Sequence, residues 1–129
     1  MLRGLLIKDL WIGKILKGLK KWEIRGSKTN IRGRIALIQS GSGLVVGVCD
    51  LVNVLGPLTL TKMKRNIGRH RNPLSSLKRG LPYRKTYAWV FRNVRALQKP
   101  LPYKHPQGAI IWVKLNETVT KKLLRELDR

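Results

Sequence analysis

The sequence predicts an α+β fold, a small mixed β-barrel of five to six short strands with two to three flanking helices. Three observations predict it. Apolar residues come in short Val- and Ile-rich blocks separated by Gly, Pro, Asn and charge. Helical periodicity is confined to a few segments. Strands and helices do not alternate in the βαβ rhythm that a doubly wound sheet requires. With 129 residues the chain has the size of one domain, residues 1–129. A chain of that size buries roughly two-thirds of the surface its unfolded form exposes.

The elements follow in order. Residues 3–8 (RGLLIK) read as a short buried strand, and Asp9 offers a helix N-cap. Leu10, Ile12, Ile15, Leu16 and Leu19 then keep helical spacing, with Lys14 and Lys17 outward and Gly18 as the C-terminal stop. Trp22 and Ile24 alternate with Glu23 and Arg25 as in a strand, and the turn-rich loop GSKTNIRG follows. Residues 34–40 (RIALIQS) and 44–55 (LVVGVCDLVNVL) form the expected core hairpin across a Gly-Ser-Gly turn. A short amphipathic helix capped by Thr59 is expected over 59–67, and a basic, Pro-containing functional loop over 69–85. Two more strands, 86–91 (TYAWVF) and 109–115 (AIIWVKL), flank a turn-rich segment holding Pro100, Pro102 and Pro106. A helix is expected over 117–127.

Charge narrows the function classes. Lys plus Arg number 28 against 6 Asp plus Glu, a formal net charge of +22. A field of that size attracts polyanions and repels copies of itself, which points to nucleic acid or an anionic membrane as partner. The acidic residues are Asp9, Glu23 and Asp50, then Glu117, Glu126 and Asp128 near the end, so the basic surface of the body is almost unrelieved. No apolar stretch approaches the ~20 residues of a membrane span. The run Met1 to Ile7 is too short for a secretory core, and the single Cys49 suits a reducing compartment. These features lead us to expect a cytoplasmic monomer that uses no membrane. His70 and His105 lack metal-ligand spacing with Cys or carboxylates, and no Gly-rich phosphate loop or nucleophile elbow is present, so neither metal nor cofactor is expected.

The most informative motif is Gly18-x-Lys20-x-x-Glu23-x-Arg25, with Trp11 seven residues before the glycine. Here, and in the ordered segments GRIALIQS, GVCDLVNVLGPL, YAWVF and PLPYKHPQGAIIWVKL, the sequence resembles the ASCH domain, which is similar in fold to PUA domains. The resemblance spans nearly the whole chain. It implies a small β-barrel with a cleft over the motif, and RNA or DNA binding, with Lys20 and Arg25 at the family's basic positions and Glu23 at its acidic one. Leu10 and Ile12 stand where many members have Pro and a small residue around the tryptophan. Small amidohydrolase relatives carry Thr where this chain has Glu23, so the nucleophile of that subtype is missing.

From the residues themselves, strand alternation places Glu23 and Arg25 on one face and Trp22 and Ile24 on the other. Glu23 can brace Arg25 or Lys20 toward a phosphate or a base edge; the plainer alternative is a Lys-Glu-Arg network that closes the barrel mouth. Trp89 and Trp112 lie inside strand runs and read as packing, whereas Tyr83 and Tyr103 lie in Pro-rich basic loops and read as stacking platforms for unpaired bases. The leading expectation is a single-stranded RNA-binding module. Its interface would comprise Lys20, Glu23, Arg25, Arg69, Arg71, Lys78, Arg79, Tyr83, Arg84, Lys85 and Lys104. No recognition helix suited to duplex DNA is visible, although DNA binding remains an alternative. The runner-up is a ribonuclease or a hydrolase of a modified nucleoside, the ribonuclease using Lys20 with Glu23, or His70, as acid and base. A third is a structural protein that binds by charge alone.

Overall fold

A computed structural model describes residues 2–128; Met1 and Arg129, which the readings of the N-terminal run and of the 1–129 span include, lie outside the described residues. The elements are β1 (Arg3–Ile7), α1 (Asp9–Leu16), β2 (Trp22–Arg25), β3 (Gly33–Gln39) and β4 (Leu44–Leu55). Then come α2 (Leu60–Arg65), α3 (Ile67–His70), a 3-10 turn (Leu74–Leu77), β5 (Tyr87–Pro102), β6 (Trp112–Lys114) and α4 (Glu117–Leu127).

The strands form one mixed sheet in the order β2-β5-β4-β3-β1-β6, antiparallel except for the parallel pair β1 and β3. The sheet curls into a half-barrel. Register shifts at Val45/Gly47, Val48/Asp50 and Leu51/Asn53 along the β4–β5 ladder supply the bends, since a bulge adds a residue to one strand and increases local twist. Asn93 takes a left-handed φ of 54° on this stretch, and its amide donates to Asp50 Oδ2 at 2.8 Å. Asn tolerates that conformation better than most residues. The curl brings strands far apart in the sheet order together: Trp89 of β5 stacks on Trp112 of β6, ring centroids 5.8 Å apart. Leu5, Ile35, Leu37, Leu51 and Phe91 fill the inside, and α1 closes it with Ile12 and Ile15. On the other face α4 covers Ala36, Val48 and Val113 with Leu123 and Leu127.

Several expected elements differ from the observed ones. The α1 N-cap is Lys8, without a side-chain capping bond, while Asp9 sits in the first turn and accepts from Gln39 Nε2 at 2.6 Å. An acid there still suits the positive end of the helix dipole. The 59–67 helix is split into α2 and α3 at Asn66, with Thr59 capping as expected through Lys62 N–H. Part of the 69–85 loop is packed structure, because the 3-10 turn buries Leu77 beside Met63 and Ile24. The turn-rich reading of residues 92–102 is overturned: β5 runs unbroken to Pro102. Beyond Phe91, whose N–H still bonds to Lys21 O, it has β4 on one side only, and an edge strand tolerates proline's missing donor. The last strand shrinks to 112–114, leaving Ile110 80% exposed.

Candidate functional site

The site begins with the end of α1. Gly18, at φ 75°, takes the left-handed position after the helix, Leu19 N–H bonds to Lys14 O and Gly18 N–H to Ile15 O, both at 2.9 Å. This is a Schellman closure, and it needs a residue that accepts positive φ without a Cβ penalty. The reversal delivers Lys20 inward just before β2.

Lys20 is 1% exposed and Glu23 4%, so the motif is a buried ion cluster, not a surface display. Glu23 bridges two cations: Lys20 Nζ lies 3.9 Å from Oε1, and Arg25 Nη2 donates to Oε2 at 2.9 Å. The same Arg25 Nη2 donates to Leu6 O at 2.7 Å. That bond ties edge strand β2 to β1, across the opening of the half-barrel. Lys20 also donates to His70 O and to Asn72 Oδ1, and its ammonium stands 4.3 Å from the centroid of the Trp11 ring, which Lys14 approaches as well. Trp11 thus serves the motif by facing a desolvated cation.

Burial drives the Lys20 pKa down to about 8, opposed by Glu23 and assisted by Lys14 and Arg25. Its value still leaves the group mostly protonated at neutral pH. His70 is buried with both ring nitrogens in use: Nε2 faces Met63 O at 2.7 Å and Nδ1 accepts from Asn72 N–H at 2.9 Å. Burial pushes its pKa below the usual histidine value, despite the Met63 contact. His70 therefore acts as a neutral strut for the loop that receives Lys20, with no ring nitrogen left to move a proton. Cys49 is buried and its thiol is pushed up to about 12, which removes it as a nucleophile.

Two concavities flank the ion cluster. One, of about 560 Å³, is lined by Lys20, Lys21, Trp22, Arg69, Arg92 and the β5 residues around Asn93, with no carboxylate from the described residues among its walls. Arg69 is held over the Trp22 ring at 5.8 Å and bonded to Asn66 Oδ1 at 2.6 Å. The other, of about 160 Å³, is lined by Lys8, Trp11, Glu23, Arg25, Ser40 and Tyr83. The Tyr83 ring rests on Gly26, where a Cβ would meet its Cδ1 at 2.8 Å. A neighbouring groove shares Leu6, Ser40 and Ile110 with this second concavity and continues it to Tyr103 and His105.

The residues singled out in the sequence are thus divided. Lys20 and Arg69 meet at the first concavity, and Glu23, Arg25 and Tyr83 at the second. Arg71 is committed to the backbone, its Nε donating to Leu19 O and Gly68 O. Lys78, Arg79, Arg84, Lys85 and Lys104 are exposed and line neither concavity. Lys21, Arg92 and Lys8 were missed. Lys21 lies inside the motif, and its alternation with buried Lys20 was a usable signal; Arg92 was hidden by the misread end of β5.

Against known proteins, the model of the ASCH domain matches residues 5–101. A crystal structure of ASCH from Zymomonas mobilis superposes with a TM-score of 0.71 at 16% identity, covering 95% of this chain and 93% of that one. Structures of two single-substitution mutants of the same protein give 0.71 and 0.70, also at 16% identity, covering 95% of this chain and 94% and 96% of theirs. A search of curated proteins found no match. At that identity the structures speak for the fold, and the family model, spanning most of the chain and including the whole Gly18 to Arg25 motif, speaks for descent: the chain belongs to the ASCH domain family.

Proposed function

We propose that this chain acts as a single nucleic-acid-binding module that holds single-stranded RNA against the cationic concavity beside the motif. The observation that carries the reading is the wall of Lys21, Arg69 and Arg92 around a concavity of about 560 Å³ that no carboxylate of the described residues lines. Three cations around one recess suit phosphodiester oxygens, and the rings of Trp22 and, across the ion cluster, Tyr83 suit unstacked bases. In this reading the buried Lys20-Glu23-Arg25 cluster positions the flanking walls instead of touching the ligand. A single strand is favoured because the narrow second concavity admits a base only after it has left a stack.

A catalytic role is less well supported. Lys20 has a pKa near neutrality, as a general acid would, yet its ammonium is buried and engaged by His70 O, Asn72 and Glu23. We therefore expect no turnover of RNA. The reading is tested by fluorescence anisotropy with one sequence presented as single-stranded RNA, single-stranded DNA and duplex, run beside a gel for cleavage. Single-stranded RNA should bind tightest and remain intact, and Tyr83→Ala should weaken it by about 1 to 3 kcal/mol through lost stacking. Equal binding of duplex and single strand, with no effect of Tyr83→Ala, would contradict the proposal.

A further inference from the structure

A third recess lies away from the motif and shares no lining residue with the two concavities beside it. Topology builds it. Parallel pairing sets the starts of β1 and β3 side by side, and antiparallel β6 ends at the same place. Arg3, Arg34 and Lys114 arrive from these three strands, and Arg32 from the loop entering β3, around a recess of about 450 Å³ floored by Leu2, Ile31 and Ile35.

No carboxylate of the described residues lines this recess. Among the described residues, the side chains of Arg3, Arg34 and Lys114 make no hydrogen bond or ion pair. Asp50 stands opposite Arg34 across β3 and β4, but its carboxylate accepts from Asn93 and does not reach the recess. Arg3 and Lys114 are direct cross-strand partners, an arrangement that costs stability when nothing lies between the charges. The Arg32 guanidinium is already oriented, since Nη1 donates to Thr29 O and Ile31 O at 2.8 Å each. Convergent cations, a fixed guanidinium, an apolar floor and an unrelieved like-charge pair are the features an anion would complete.

We infer that this recess is a second phosphate-binding site, which engages the backbone of a nucleic-acid strand independently of the concavity beside the motif. It rests on the nucleic-acid reading for the source of the phosphates, not for the site itself. The chemistry is charge-assisted donation from three guanidinium groups and one ammonium to phosphate oxygens, with sugar atoms over Leu2 and Ile31.

The test uses the full chain and two probes. Inorganic tripolyphosphate is titrated by calorimetry, and a long single-stranded RNA by anisotropy at several salt concentrations. The variants are Arg3→Gln with Lys114→Gln, Arg32→Gln alone, and the control Lys121→Gln with Lys122→Gln on α4, with circular dichroism to verify folding. The Arg3/Lys114 variant should lose about tenfold in tripolyphosphate affinity, and its salt slope with RNA should fall by about 1.4, two phosphates at ~0.7 each. Arg32→Gln should lose tripolyphosphate binding without touching the strand pair. The like-charge opposition gives a further sign: Lys114→Gln should raise the Tm of the ligand-free protein at low salt. Equal losses in the control overturn the site. Tripolyphosphate binding that depends on Arg3 and Lys114 in a protein that ignores RNA retains the site and overturns the nucleic-acid source. RNA binding identical in all variants overturns the recess and leaves the motif-side concavity standing.

Discussion

At the scale of single residues, the motif is a folding device. Glu23 holds Lys20 and Arg25, and Arg25 joins β2 to Leu6 O across the barrel opening. Arg25→Ala should therefore cost about 3 kcal/mol of stability, since it strips one partner from a buried carboxylate and breaks the clasp; urea denaturation checks it, and a loss below half that would mean water replaces the guanidinium. Lys20 offers a signed test. Folding lowers its pKa to about 8 from 10.5, so between those values the unfolded chain binds the proton more tightly and stability rises with pH. Relative to Lys20→Met, the wild type should gain up to about 1.4 kcal/mol per pH unit across that window, read from denaturation curves at successive pH. A constant difference would place the ammonium in water. Strand alternation made the shared face of Glu23 and Arg25 legible, and the resemblance to the ASCH domain singled out Lys20 with them. Their burial was not legible, because nothing local to a G-x-K-x-x-E-x-R string reveals that His70 O and Asn72 arrive from a distant loop to receive the ammonium.

At the scale of elements, β3 and β4 were legible because each keeps a Val- or Ile-rich run bounded by turn residues, β2 because Trp22 and Ile24 alternate with Glu23 and Arg25, and α1 because its apolar positions recur at helical spacing. The far half of β5 was not. Residues 92–102 carry Arg, Asn, Gln, Lys and two prolines, a composition that reads as loop, and only the one-sided pairing to β4 makes it a strand. That error hid Arg92. The element junction that matters most is the Schellman end of α1, which aims Lys20 inward. Gly18→Ala keeps the helix sequence but places a Cβ at φ 75°, so it should cost about 1 kcal/mol by thermal or chemical denaturation. An unchanged midpoint would show that the reversal tolerates any residue and that the motif's glycine has a different purpose.

At the scale of the molecule, +22 of charge is spread over a curled sheet, with the six acidic residues confined to Asp9 beside Gln39, Glu23 in the ion cluster, an Asp50–Asn93 pair, and the α4 region. The sequence could announce the excess but not its sorting. The motif-side wall joins Lys21, Arg69 and Arg92, and the far recess joins Arg3, the Arg32/Arg34 pair and Lys114, from parts of the chain well separated in sequence. Charge alone would attract a polyanion everywhere; sorted charge would direct it to particular walls. The measurement that separates these most directly is the affinity of single-stranded RNA, by anisotropy over a salt series, for Arg69→Ala and Lys21→Ala against the charge-matched Lys122→Ala on exposed α4. If the concavity beside the motif is the interface, each of the first two should lower affinity by about 1 kcal/mol or more and reduce the salt slope by ~0.7, one phosphate contact, while Lys122→Ala leaves both nearly unchanged. Equal losses and equal slopes in all three variants would contradict it.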